Sequence, residues 1–313
     1  MAGEQDETGD GSVPGEVSLW ISDEVPPERR DSIKASVAAL ARRSAMASTR
    51  AFELGKARNE LLTATTGRLR RLMEEDGDAS QRLAEARRRL ENEQVELSTQ
   101  EPTWPTVRLV ERRPLAADAG FLADHVWVPP LDFAWEHHKG RPPEVSTTDE
   151  LNGRIQLQAK VGGLGMSDAH AGFGVSLQSS QVRSVNGRSL RRTQHGYAAA
   201  AVSPVGFAGG DATVEGGMEM TVVQAGTLIT FAHDRRFRKR VSGDEFDVVP
   251  LDGWSTGDGG VQVHWVMERD VPYELNVGGW VYCEAHGGPA AVTSTAFARL
   301  DGQVISLTAD FTD

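Results

Sequence analysis

Five positive charges fall within six residues of an otherwise acidic chain. They are Arg235, Arg236, Arg238, Lys239 and Arg240. Arginine binds phosphate, sulfate or carboxylate groups through parallel hydrogen bonds, and lysine binds them as a point charge. The cluster therefore predicts an anionic-ligand site on an edge strand or hairpin tip. Two structural alternatives stay open: protection of an exposed edge strand by charge, and pairing with the acidic tail of another subunit.

A second candidate is Trp254, which stands beside the glycine-rich run 257–260. An indole ring in a loop offers an apolar face on which a sugar ring can stack. Trp254 is therefore predicted to be a ligand platform. Trp265 and Trp280 fall in alternating strand patterns instead and are predicted to be core residues.

The residue spacing gives little support for metal binding or for nucleophilic catalysis. Asp168 and His170 are two residues apart, which places both side chains on one face of a strand. Two ligands do not complete a zinc site, so we interpret them as solvated loop residues. The sequence has no Gly-x-Ser-x-Gly nucleophile motif, and Cys283 sits in a strand pattern as a small packed residue. We predict no metal, no cofactor and no catalytic residue, and hence a protein that is not an enzyme.

The composition excludes several classes of protein. The chain has 313 residues, with 33 basic against 45 acidic residues and a formal net charge of −12. That balance argues against binding to nucleic acid or anionic membranes. A single cysteine excludes a disulfide-stapled scaffold. The sequence shows no signal-peptide pattern and no transmembrane stretch, so we expect a cytoplasmic protein, with incorporation into a released particle as an alternative.

Residues 27–98 carry the helical periodicity of the chain. They are rich in Ala, Arg, Leu and Glu, which are strong helix formers. Apolar and small residues recur at spacings of three, four and seven, the repeat of a coiled coil. The seam predicted for homo-oligomerisation comprises Ile33, Val37, Leu40, Ala47, Leu54, Leu62, Leu69, Leu83, Leu90 and Leu97. The alternative is a helix that packs on its own domain.

The run Asp76-Gly77-Asp78 interrupts this helical segment. Gly77 can end one helix and Asp78 can cap the next, which predicts a hairpin. The leucines on both sides of the break keep one heptad phase, however, and this favours one long or kinked helix. We favour the continuous helix and keep the hairpin as the alternative.

Two further segments flank the helix. Residues 1–26 hold seven acidic residues and no Lys or Arg, which predicts a disordered acidic tail. Residues 99–150 hold seven of the 14 prolines together with many apolar side chains. Proline at this density disfavours central strands, so this connector is predicted to wrap the next domain or to add edge strands to it.

Residues 151–313 show a period of two, for example over 155–161 and 261–267. Such alternation predicts half-buried strands. About nine short strands separated by turn signals such as Asn186-Gly187 and Asp301-Gly302 predict an antiparallel, jelly-roll-like β-sandwich. The phase flips after Gly278-Gly279, which predicts a bulge. The fold class is therefore α + β in separate regions, a long helix or coiled coil followed by a sandwich.

A helical stalk, a connector and a β-sandwich head are typical of fibre-like and particle-decorating proteins. By analogy of architecture, we predict a non-enzymatic, homo-oligomeric structural or binding protein. Its head binds a glycan or a protein, or docks on a larger assembly, and multivalency strengthens weak binding. Two alternatives remain: a carbohydrate-active β-sandwich enzyme, and an intracellular scaffold whose helix binds another protein's helix.

Overall fold

The structure is a computed structural model. It describes residues 17–73, 77–102, 104, 125–202, 210–243, 245–256, 261–287 and 293–312. Helical side chains are described except at 62–73, 77–80, 82–84, 86, 87 and 90. Over these ranges the chain forms two helices and two antiparallel sheets.

Sheet A has six strands. In spatial order they are β1 (Val17–Ile21), β3 (Phe133–Gly140), β6 (Leu164–Gln178), β13 (Pro272–His286), β8 (Asp211–Gln224) and β9 (Thr227–Ser242). Every neighbouring pair in this sheet is antiparallel.

Sheet B has eight strands. Its main path runs β10 (Glu245–Val249), β7 (Arg183–Val202), β14 (Thr293–Thr312), β5 (Arg154–Gly162) and β4 (Val145–Asp149). Three shorter strands join it: β11 (Ser255–Thr256) and β12 (Gln262–Met267) pair with β7, and β2 (His125–Trp127) pairs with β14.

The core lies between the two sheets and is built from alternate residues of each strand. Leu275, Val277 and Cys283 of β13 are fully buried there, as are Ile155 and Leu157 of β5. Burial of these side chains supplies the main driving force for folding. The predicted antiparallel sandwich and the packed position of Cys283 are confirmed.

The strands are longer than predicted. β7 and β14 span 20 residues each, and they pair with each other over 19 positions. The dipeptides predicted as turns, Asn186-Gly187 and Asp301-Gly302, lie inside these strands, so that prediction was wrong. Gly187 serves close packing instead, because a Cβ there would lie 3.1 Å from the Trp265 ring.

The bulge predicted at Gly278-Gly279 is also wrong, since β13 pairs with β6 and β8 in unbroken register there. Both faces of β13 are buried at this point, which explains the loss of alternation. Gly278 of β13 pairs directly with Gly172 of β6. Both glycines lie beneath the indole of Trp135. A Cβ on Gly278 would lie 2.9 Å from that indole, and one on Gly172 2.7 Å from it.

Helix α1 (Pro27–Met73) lies on the outer face of sheet A, whereas α2 (Gly77–Thr99) contacts sheet B. Side chains of α1 pack on Phe133 and Trp135 of β3. At the end of α2, Leu97 packs on Phe297 of β14. In the described residues, neither helix has an apolar stretch that could cross a lipid bilayer.

The helical segment reverses direction between its two contacts with the sandwich. A Cβ on Gly55 would lie 2.4 Å from Nε2 of His286, and Gln94 donates a 3.0 Å hydrogen bond to Thr295. His286 and Thr295 are close together, because the Ser294 hydroxyl donates to the His286 carbonyl at 3.2 Å. One straight helix would separate residues 55 and 94 by about 58 Å. The segment is therefore a hairpin, and the continuous helix was wrong.

Six residues of the predicted seam have described side chains, and they differ in environment. Four of them, Ile33, Val37, Leu40 and Leu97, are buried within the chain. They pack on their own sandwich, which was the alternative to self-association. Ala47 and Leu54 are exposed. The other four seam leucines, Leu62, Leu69, Leu83 and Leu90, lie outside the described side chains.

The segments that flank the helices contribute strands. Val17–Ile21 form β1 and pair with β3, so the disordered tail predicted over 1–26 was wrong for this stretch. Residues 1–16 lie outside the described residues. The described part of the connector 99–150 supplies β2, β3 and β4, and thus adds strands to both sheets. β3 is not an edge strand, because β1 covers it.

We expect Gly172→Ala to lower the free energy of unfolding by about 1–3 kcal/mol, the usual cost of overpacking a core. The new Cβ would lie 2.4 Å from the Val277 carbonyl oxygen, and backbone cannot yield as a side chain does. The measurement is urea denaturation. Gly253→Ala is the control, because a Cβ there meets no described atom within 4 Å; equal effects of the two substitutions would contradict the packing role.

Candidate functional site

A cavity of about 320 Å³ lies between α1 and the outer face of sheet A. From the helix it is lined by Leu40, Arg43, Ser44, Ala47, Ser48 and Ala51. The sheet contributes polar and aromatic groups, among them His137, Asp168, His170, Glu219, Thr221 and Trp280. An apolar wall with convergent polar groups is the usual composition of a small-molecule site.

Strand register explains how the floor of the cavity forms. Across three strands, His137 pairs with His170, and His170 pairs with Trp280. Two residues further along β6 and β13, on the same face, stand Gly172 and Gly278. Because side chains alternate between faces, large rings and glycines lie in adjacent rows beneath α1, and the glycines leave room above them.

Four rings form a stack across the floor. The ring centroids are 5.5 Å apart for Trp135 and His137, 4.6 Å for His137 and His170, and 6.5 Å for His170 and Trp280. Since Trp135 is seated on the glycine pair, the stack holds both imidazoles in defined orientations.

His170 is clamped between two carboxylates. One ring nitrogen, Nδ1, lies 3.0 Å from Glu219 Oε1, and the other, Nε2, lies 3.1 Å from Asp168 Oδ1. Burial lowers the pKa of His170, but the two carboxylates, Asp168 foremost, outweigh it and raise the pKa to about 10. His170 is thus an imidazolium at neutral pH and donates to both carboxylates.

His137 is the neutral counterpart of His170. Burial, aided by the nearby His170 charge, holds the pKa of His137 well below its usual value. Its Nδ1 lies 3.3 Å from the Ser44 hydroxyl of α1. The two stacked histidines therefore differ in charge because one has carboxylate partners and the other has only a hydroxyl and a cation beside it.

The open side of the cavity is bordered by α1 and the edge strand β9. The guanidinium of Arg43 lies 4.0 Å from the centroid of the Phe231 ring, a cation–π contact. Phe231 is 49% exposed. Arg235 also lines the cavity, and its Nε is 2.6 Å from Glu215 Oε1.

The basic cluster lies on β9, an edge strand of sheet A, as one of the sequence interpretations held. Strand β9 contains a bulge within the cluster, because Gly216 of β8 pairs with Phe237 whereas Gly217 pairs with Arg235. Arg236 is the extra residue, and a bulge of this kind re-aims the side chains that follow. The cluster therefore does not form one continuous cationic surface.

Each cation of the cluster has a carboxylate partner. Besides the Arg235 pair, Arg238 is 3.4 Å from Glu215, Arg236 is 3.0 Å from Asp234, Lys239 is 3.2 Å from Asp247, and Arg240 pairs with Asp211. Only Arg235 belongs to the cavity lining. The ligand-binding role of the cluster stays a prediction, and these ion pairs do not support it.

Trp254 stands outside the cavity lining. It is half-buried, and its ring lies 5.2 Å from that of Trp104. Arg154 in turn stands over Trp104 at 5.0 Å. One face of the indole is therefore engaged within the chain, and its role as a sugar platform stays a prediction.

Two sequence interpretations are corrected at the cavity. Asp168 and His170 share one strand face as expected, but they are buried on β6 and are not solvated loop residues. Trp280 is not a residue of the sandwich core, because it faces α1 and lines the cavity. Trp265 is buried in the core as predicted.

Sequence reasoning missed Glu219, Thr221 and His137. The first two fall on the polar side of the alternating strand β8, which was interpreted as a face toward water. The sequence carries one signal for the site: Trp135 and His137 are two residues apart, which places an indole and an imidazole on one face of a strand.

Across the described residues, no three His, Cys, Asp or Glu side chains form a group that could hold a metal ion. The polar groups that line the cavity are hydrogen-bond donors and acceptors. Fold and site together define a β-sandwich protein with a helix-covered polar cavity.

Comparisons with known proteins do not assign the chain to a family. No protein-family model matches the sequence, and no curated protein matches it. Among solved structures, the chain has a weak similarity to "Structure of infectious bursal disease virus Gx strain", with 9% identity and a TM-score of 0.16. It covers 67% of this chain and 47% of that one, so the chain spans about half the length of the matched chain. A TM-score of this size does not indicate a shared fold.

The charged state of His170 predicts a pH-dependent contribution to stability. Its pKa is about 10 in the folded chain, against an ordinary value of 6.5. The contribution is therefore fully present below pH 6.5 and is lost as the pH rises through 10. We expect the difference in unfolding free energy between the wild type and His170→Gln to be largest near pH 6 and to shrink toward pH 10.

The measurement is urea denaturation at a series of pH values. The exposed His264 provides the control, because His264→Gln changes a surface imidazole and should alter the unfolding free energy little. A pH-independent difference for His170→Gln would show that His170 is not held as a cation.

Proposed function

We propose that this chain is a non-enzymatic binding protein whose β-sandwich head holds a ligand in the cavity beneath α1. The observation that carries the proposal is the cavity itself, of about 320 Å³, with polar groups converging on its floor. This volume is at the lower end of the range for small-ligand sites, about 300–1,000 Å³. The ligand is a glycan or a short protein segment that reaches the floor.

The arrangement of the floor favours binding over catalysis. Asp168 and Glu219 each accept a hydrogen bond from the same imidazole, that of His170, so neither is a free carboxyl group facing a substrate. Glycoside hydrolysis needs one protonated carboxyl group as its acid. A carbohydrate-active enzyme is the alternative, and turnover of a bound glycan would reveal it.

Self-association through the helical hairpin is the second part of the proposal. Leu54 and Leu61 of α1 are seven residues apart and are 66% and 68% exposed. These two exposed leucines offer apolar surface to a second copy or to a larger assembly. Coiled-coil pairing, jelly-roll connectivity and incorporation into a particle belong to this proposal as predictions.

Ligand binding is tested by blocking the cavity from its helical side. Ala47 is exposed and lines the cavity, so Ala47→Trp would fill the entrance without altering the sandwich core. We expect it to weaken binding at least tenfold on glycan and peptide arrays followed by calorimetry. Ala57→Trp is the matched control, an exposed alanine of the same helix outside the lining. Equal binding by all three proteins would overturn the cavity as the site.

Association is tested by size-exclusion chromatography with light scattering. The full-length chain is expected to be an oligomer, and the double variant Leu54→Glu, Leu61→Glu to be a monomer, because burying unpaired carboxylates at an apolar contact is costly. Leu151→Glu with Val266→Glu changes two exposed residues of the sandwich and should leave the oligomer intact. A monomeric wild type would reject self-association.

A further inference from the structure

The cavity floor offers hydrogen-bond acceptors with a net negative charge. The bonds from His170 use one oxygen of each carboxylate, Oδ1 of Asp168 and Oε1 of Glu219. A carboxylate has about four lone-pair sites, so both groups can accept further hydrogen bonds. With His170 as a cation, the three groups carry one negative charge, which disfavours an anionic ligand at the floor.

A buried hydroxyl in the wall lacks a partner. Thr221 is 3% exposed and lines the cavity, and its Oγ1 has no hydrogen-bond partner among the described residues. A buried polar atom without a partner is destabilising, because it has lost its hydrogen bonds to water. A ligand hydroxyl that reaches Thr221 would remove that cost.

Aromatic and cationic groups complete the site. Phe231 presents a half-exposed ring at the cavity, and Trp280 a half-buried one on the floor. Arg43 and Arg235 place positive charge near the opening, which disfavours a cationic ligand. The site therefore combines aromatic faces with hydrogen-bond acceptors on its floor and donors near its opening. The floor carries a charge unfavourable to anionic ligands, and the opening one unfavourable to cationic ligands.

We infer that the cavity binds an uncharged saccharide ring, whose hydroxyls donate to Asp168 and Glu219 and exchange hydrogen bonds with Thr221. This inference rests on the proposed function and specifies its ligand. The apolar face of the ring lies against Trp280 or Phe231, and Arg43 donates to the hydroxyls nearest the opening. The class differs from the anionic ligand predicted from the basic cluster.

The test compares methyl hexopyranosides with the matching methyl hexuronides and methyl aminohexosides, by ligand-observed NMR titration on the full-length chain. We expect the neutral series to bind most tightly. Thr221→Val should weaken its binding about 3- to 12-fold, the range for one hydrogen bond. Thr213→Val is the matched control, because Thr213 is a buried threonine on the same strand and face that lies outside the cavity lining.

A second variant separates ligand recognition from simple structural damage. Glu219→Gln keeps the shape of the side chain but removes its charge, so it should lower the preference for neutral over acidic sugars, which loss of folding alone would not do. Tighter binding of hexuronides or aminohexosides by the wild type would overturn the inference. Peptide binding that Ala47→Trp abolishes, without sugar binding, would also overturn it and leave the proposed function standing. Failure of Ala47→Trp to affect any ligand would overturn both.

Discussion

The packing of α1 across sheet A is the contact on which the rest of the site depends. The helix covers a sheet face that is polar along much of β13, so its buried groups require partners from the helix. Ser36 of α1 donates to Glu274, whose side chain is fully buried. Burial raises the pKa of Glu274, and the Ser36 hydrogen bond opposes that rise. Arg29 donates to the Ser176 carbonyl at 3.3 Å. Hydrogen bonds thus accompany the apolar contacts of Ile33 and Val37.

This cover determines the electrostatics of the cavity. Without α1, the carboxylates that flank His170 would face water, and their hold on the imidazolium would be weaker in a high dielectric. Beneath the helix, His170 keeps its proton while His137 beside it stays neutral. The same sheet face therefore carries the His170 cation, its two carboxylate partners and the neutral His137. The neighbouring glycines Gly172 and Gly278 make room for the indole of Trp135.

The sandwich and the helical segment could be predicted because alternation and helical periodicity are local properties of the sequence. Cys283 was placed in the core on the same basis. The hairpin could not be decided locally, because the seven-residue repeat persists across Gly77 in either arrangement. The site was missed for a related reason: Glu219 and Thr221 look like a solvent face on β8, and only the position of α1 shows that they are covered. The strand boundaries were mispredicted at Gly187 and Gly302, because both glycines lie inside long strands and not in turns.

The order of elements along the chain has a consequence for biosynthesis. Ile33 precedes Val223 by 190 residues, and both belong to the apolar cluster that seats α1 on sheet A. At a translation rate of about 5–20 residues per second, the helix is made roughly 10–40 s before Val223, and longer still before β13. During that interval its apolar side has no complete sheet to cover it. The nascent chain must therefore pass through a long period in which an amphipathic helix is open to chaperones or to other chains.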